Sequence, residues 1–133
     1  MEIKTKISVD AAHRLTFHDG ACKNLHGHTW NIEVLVFKEK FKDMVIDFGL
    51  LKSAIKEVLD HKVLVYEQDD VLMALTVYME RQIFPFETTA ENIALFLKGF
   101  IFKQFIEQDI KDDSEKVGIQ VTVYETKDNS ATV

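Results

Sequence analysis

The chain has 133 residues, a length suited to one domain with a sizeable core. Its net charge of −6 argues against general nucleic-acid binding, which asks for a basic surface. One cysteine excludes an internal disulfide, no run approaches the roughly 18 apolar residues of a membrane span, and the N-terminus lacks a signal peptide's apolar stretch, so a cytoplasmic location with no membrane partner is expected.

Residues 2–13 alternate. Ile3, Thr5, Ile7, Val9 and Ala11 share one face, and Glu2, Lys4, Lys6, Ser8 and Asp10 the other, which predicts a half-buried strand. The same phase puts His13 on the apolar face. After a connection over residues 14–25, a second strand rich in β-branched and aromatic residues runs to Lys38. His26, His28, Trp30, Ile32, Val34 and Val36 share its apolar face. If the two strands pair antiparallel, as neighbours joined by a loop often do, His13, His26 and His28 meet at the loop end of the sheet. Three imidazoles with a fourth position open are the donor set of a catalytic zinc ion. The bland alternative is three histidines with ordinary hydrogen bonds. Cys22, four residues before His26, reads equally as a fourth zinc ligand or as a reactive thiol. Arg14, His18 and Lys23 in the same connection could meet anionic groups, although solvated loop residues are the simpler reading.

Asp47 reads as a helix N-cap, followed by an apolar stripe of Phe48, Leu51, Ile55, Val58 and Leu59. The helix ends near Asp60-His61. That pair is either a proton relay or, more simply, a helix C-terminus carrying a cation against the dipole. Residues 62–86 are the least readable. Lys62 to Tyr66 could be extended, and Asp69 and Asp70 could cap a helix through Leu72, Leu75 and Tyr78. Thr88 and Glu91 match a capping box that starts a helix from Thr89 to about Gln108. Ile93, Leu97, Phe100, Ile101 and Phe105 face its core side, and Phe96 and Phe102 widen the stripe. Val117, Ile119, Val121 and Val123 then alternate as a third strand, and Ala131 to Val133 form a short fourth. Glu125 falls in phase with the apolar set. A carboxylate there is costly unless paired; it could fray into solvent, or hold a ligand with two adjacent N–H donors. The order predicts an α+β fold, a four-stranded antiparallel sheet with helices on one face.

The segments Ala11 to Leu15, Cys22 to His28, Met44 to Phe48, Leu59-Asp60-His61, Thr89 to Asn92 and Tyr124-Glu125-Thr126 span nearly the whole chain. Together they resemble the 6-pyruvoyltetrahydropterin synthase and 6-carboxytetrahydropterin synthase family. The resemblance implies a single tunnelling-fold domain over residues 1–133. Three subunits would join their sheets into a barrel, and two rings would stack into a homo-hexamer with active sites at subunit interfaces. It implies that His13, His26 and His28 bind zinc and that Cys22 is the catalytic base. Asp60 and His61 would reach in as a relay from a neighbouring subunit. Glu125, helped by Thr89, would hold the pterin's amino and ring N–H edge.

The implied substrate is the small molecule 7,8-dihydroneopterin triphosphate. The carboxy branch, which serves queuosine biosynthesis, cleaves the side chain and releases acetaldehyde and triphosphate. The pyruvoyl branch keeps the carbons and eliminates triphosphate. Three residues separate Cys22 from His26, the compact spacing of the carboxy branch, which is therefore the expectation. A third alternative is a non-enzymatic protein whose zinc site Cys22 closes. The chain departs from the family pattern at Asp43, where a glycine is usual, at Thr88, where a proline is frequent, and in a long 62–86 stretch.

Overall fold

The computed structural model describes residues 1–112 and 114–133. In chain order the elements are β1 (Glu2–His13), β2 (His26–Lys38), α1 (Phe48–Leu59), β3 (Lys62–Tyr66), α2 (Asp70–Leu75), β4 (Arg81–Phe84), α3 (Ala90–Ile101), β5 (Val117–Tyr124) and β6 (Ser130–Thr132). The first two strands pair antiparallel along their whole length, from Glu2 opposite Phe37 to His13 opposite His26. Alternation then sorts the side chains. Thr5, Ile7, Val9, Ala11 and His13 of β1 are buried with Trp30, Ile32, Val34, Val36 and Lys38 of β2. Helices α1 and α3 cover that face through Leu51, Ile55, Leu59, Ile93, Leu97 and Ile101.

The sheet has six strands in the order β4-β3-β1-β2-β5-β6, not the four expected, and it is mixed rather than antiparallel. The expected antiparallel strands are β1, β2, β5 and β6. The addition comes from residues 62–84, where β3 runs parallel to β1, and β4 parallel to β3 with α2 between them. Two parallel strands need a crossover, and a helix supplies it. The crossover helix is short. Asp69 caps it by accepting from the Leu72 amide at 3.1 Å, and Thr76 ends it by donating its hydroxyl to the Leu72 carbonyl. Tyr78 therefore lies beyond the helix, fully exposed, rather than on it.

Other local expectations also shift. Asp47 does cap α1, but Phe48 is 47% exposed and the buried stripe is Leu51, Ile55 and Leu59. The N-cap of α3 is Thr89, whose hydroxyl accepts from the Asn92 amide at 3.2 Å, not Thr88. The regular α-helix stops at Ile101, passes through a wider turn over Phe102–Ile106 and ends in a tight one over Glu107–Asp109. Asp43 has φ 62°, the left-handed region. Glycine enters that region without strain, and aspartate more readily than most residues, so Asp43 can hold the conformation that a glycine would favour. Among the described residues no helix is long and apolar enough to cross a membrane.

Candidate active site

His13 closes β1, and His26 and His28 open β2, so the pairing brings all three to one end of the sheet on its core side. One ring nitrogen from each lies within 4.8 Å of those of the others. Neighbouring carbonyls fix two of the rings. His13 Nδ1 is 2.8 Å from the Thr88 carbonyl and His26 Nδ1 is 2.7 Å from the Asn24 carbonyl. A carbonyl only accepts, so each Nδ1 carries the proton and each Nε2 presents its lone pair. Trp30 forms the floor. Its indole N–H donates to the Ala11 carbonyl, and its ring stands edge-on to His13 and His28.

Two buried nitrogens, His13 Nε2 and His28 Nε2, have no hydrogen-bond partner among the described residues. Glu125 Oε1 lies 3.3 Å from His28 Nε2, a close approach without hydrogen-bond alignment. Orphaned buried polar atoms are uncommon in proteins. Two of them within a convergent set of nitrogens fit a divalent ion that takes imidazole ligands.

Burial pushes the His13 pKa down to about 4, helped by the charges of His26 and His28 and only partly offset by the Thr88 bond. Burial also lowers that of His28, against the pull of Glu125. Neutral imidazoles are the ligating form. For the metal-free protein this has a consequence with a definite sign. The folded pKa of His13 lies below its ordinary value of 6.5, so between the two the unfolded chain holds more protons. Stability is full above that window and falls as pH drops through it, by up to roughly 3 kcal/mol for a shift from 6.5 to about 4. Urea unfolding at neutral pH and near pH 5 checks this against His13→Gln, whose profile should be flatter; equal slopes would contradict it.

The other expected site residues are placed as follows. Cys22 is partly buried on a short turn, Ala21–Lys23. Its sulfur is not part of the mutually close set formed by the histidine nitrogens. Glu125 follows β5 and turns its carboxylate toward His28, as the strand phase predicts. Thr89 spends its hydroxyl on the α3 cap.

Asp60 and His61 end α1, and His61 reverses the chain at φ 55°. The pair is tied to the backbone of Asp10, with Asp10 N–H donating to Asp60 Oδ1 and His61 N–H donating to the Asp10 carbonyl. The Asp10 amide first, and the His61 ring second, hold the Asp60 carboxyl below the usual carboxylate range. His61 Nδ1 sits 3.0 Å from Asp60 Oδ2, and its side chain is 79% exposed. It makes no hydrogen bond to the three histidines. An open cavity of about 600 Å³ borders both His28 and His61, lined also by Asp10, Thr29 and Glu80.

Three contributors were not legible beforehand. Thr88 is fully buried and orients His13 through its carbonyl, a role hidden behind its apparent fitness as a cap. Trp30 reads as plain core. Arg14 is not a free loop cation: it forks onto Asp69 with two bonds of 2.6 Å. The partners stand 55 positions apart, so no local pattern announces them.

The family model described as 6-pyruvoyl tetrahydropterin synthase matches residues 2–133. A 6-carboxy-5,6,7,8-tetrahydropterin synthase of Haemophilus influenzae is 39% identical over 111 residues, covering 72% of this chain and 78% of its own. One from Aquifex aeolicus is 31% identical, covering 98% and 95%. Among solved structures, an uncharacterized protein from Wolinella succinogenes superposes with a TM-score of 0.80 at 20% identity, covering 100% of this chain and 97% of its own. A Plasmodium falciparum 6-pyruvoyl tetrahydropterin synthase superposes with a TM-score of 0.72 at 20% identity, covering 100% and 96%. At that identity these two establish the tunnelling fold alone.

Proposed function

The chain belongs to the 6-pyruvoyl tetrahydropterin synthase family, and from that premise we propose that it is a zinc-dependent lyase, one domain over residues 1–133. Its substrate is 7,8-dihydroneopterin triphosphate, which with water gives 6-carboxy-5,6,7,8-tetrahydropterin, acetaldehyde and triphosphate. The observation that carries the reading is the convergence of three histidine nitrogens, two of the rings with orphaned Nε2 atoms, in a chain most of whose length matches carboxy-branch relatives.

His13, His26 and His28 would hold the ion, with the Thr88 and Asn24 carbonyls keeping two of the rings in the ligating tautomer. A divalent ion at that point supplies Lewis-acid polarisation of the substrate's side-chain oxygens. Glu125, an acceptor beside His28, takes the pterin's adjacent N–H donors and so places the side chain over the histidines, with Thr89 at the helix start helping. Cys22 removes a side-chain proton as the thiolate. Asp60 accepts from His61 Nδ1–H, which leaves Nε2 to pass protons to and from the substrate. His61 makes no hydrogen bond to the three histidines of its own chain, which fits a relay supplied by a neighbouring subunit of a homo-hexamer, as the family resemblance implies. Cys22 stands outside the histidine cluster, which argues against the closed, non-enzymatic site.

The test is to incubate zinc-loaded protein with 7,8-dihydroneopterin triphosphate and quantify products. Acetaldehyde equimolar with a carboxylated pterin is expected. A pyruvoyl product and triphosphate without acetaldehyde would assign the other branch, and no turnover at all would sink the enzyme reading.

A further inference from the structure

We propose that Arg14 and Asp69 form a strap that positions Cys22, with Glu87 as a second tie on the same loop. The inference rests on the reading of Cys22 as a proton-transfer group. Residues 14–25 hold Cys22 but contain no regular structure beyond one short turn. Something else must fix the thiol. The loop's two limbs are first tied to each other: the Leu15 amide donates to the Cys22 carbonyl at 2.9 Å, and Arg14 Nη1 to the Lys23 carbonyl at 3.4 Å. The near limb is then tied to the body. Arg14 donates through Nε and Nη2 to the two oxygens of Asp69, both at 2.6 Å. Thr16 donates through its amide and hydroxyl to Glu87.

A two-bond fork fixes orientation as well as distance, which a single bond or a lysine would not do. Its anchor is firm. Asp69 is 3% exposed and is itself held by the Leu72 amide at the start of α2. A buried ion pair is weak evidence for stability, because desolvation offsets much of the attraction. Its best-attested use is to specify one arrangement, and here the arrangement specified is the loop that carries the chain's only cysteine. The strap also gives the β3-α2-β4 unit a task, since that unit contributes no histidine to the cluster.

Glu87 extends the same logic. It adjoins Thr88, whose carbonyl orients His13, so one short segment references both the thiol loop and a metal-ligand candidate. Arg14 and Asp69 are thus positioning residues, acting through Cys22 without touching substrate.

Asp69→Asn keeps the size and the helix-capping oxygen but not the charge. Arg14→Lys keeps the charge but not the fork. In both, zinc content should match wild type. Exchange of the Leu15 amide and alkylation of Cys22 by iodoacetamide should accelerate about tenfold, and kcat should fall on the order of ten- to a hundredfold with KM little changed. Wild-type exchange and alkylation rates in folded variants would overturn the strap. Thr16→Val, which cuts only one Glu87 contact, covers the case where either variant fails to fold, and it should move the same readouts less; no movement would again count against the proposal. Exchange and alkylation decide the strap even if wild type proves to have no lyase activity, so the two readings fail separately.

Discussion

His13→Ala is expected to abolish stoichiometric zinc binding and, with it, turnover. A zinc site of this kind rests on three protein ligands, and the other two come from alternate positions at one end of a single strand. Losing an outer partner of a metal ligand already costs about 10–100-fold in affinity, so losing a ligand should cost more than that. The same substitution leaves the buried Thr88 carbonyl without its donor, which costs about 1–3 kcal/mol of stability in the metal-free protein. Zinc per chain, measured after competition with a chelator, checks the first effect, and urea unfolding the second. His18→Ala is the control. His18 is exposed, its ring accepting from the Gly20 amide, and its removal should leave zinc in place. Wild-type zinc affinity in His13→Ala would show that the three rings cluster for packing alone.

Cys22→Ala has the opposite signature. Zinc content should stay at the wild-type level while kcat falls by about 10²–10⁴, the range for a lost general acid–base group. Stability should change little, because Cys22 is only partly buried on a turn. The contrast between the two variants separates ligand from proton carrier. If Cys22→Ala instead released zinc, the thiol would be a fourth ligand and the site a closed one.

The parts of this molecule that were legible in the sequence are those with long, clean periods. Twelve residues of β1 and thirteen of β2 hold one phase throughout, so the burial of His13 beside His26 and His28 could be read before any coordinates. Asp47 was legible as a cap because a long apolar stripe follows it. The β3-α2-β4 unit was not. Its helix has six residues, β4 has four, and β3 meets β1 over only two residue pairs, so no window holds a full period.

The start of α3 fails for a different reason. Thr88 and Thr89 each have a plausible partner three residues on, Glu91 or Asn92, and local chemistry does not choose between them. Tertiary structure does: Thr88 is drawn into the core to meet His13, which leaves Thr89 as the cap. The fork between Arg14 and Asp69 is long-range and depends on a strand arrangement that the pattern did not reveal. Asp60 and His61 are legible as a pair, but their ties to the backbone of Asp10, fifty positions away, are not.

Three imidazoles, without Cys22, should hold the ion. X-ray absorption at the zinc edge tests this most directly. Nitrogen or oxygen scatterers alone at about 2.0–2.1 Å are expected, with a spectrum unchanged in Cys22→Ala. A sulfur scatterer at about 2.3 Å that disappears on that substitution would contradict it.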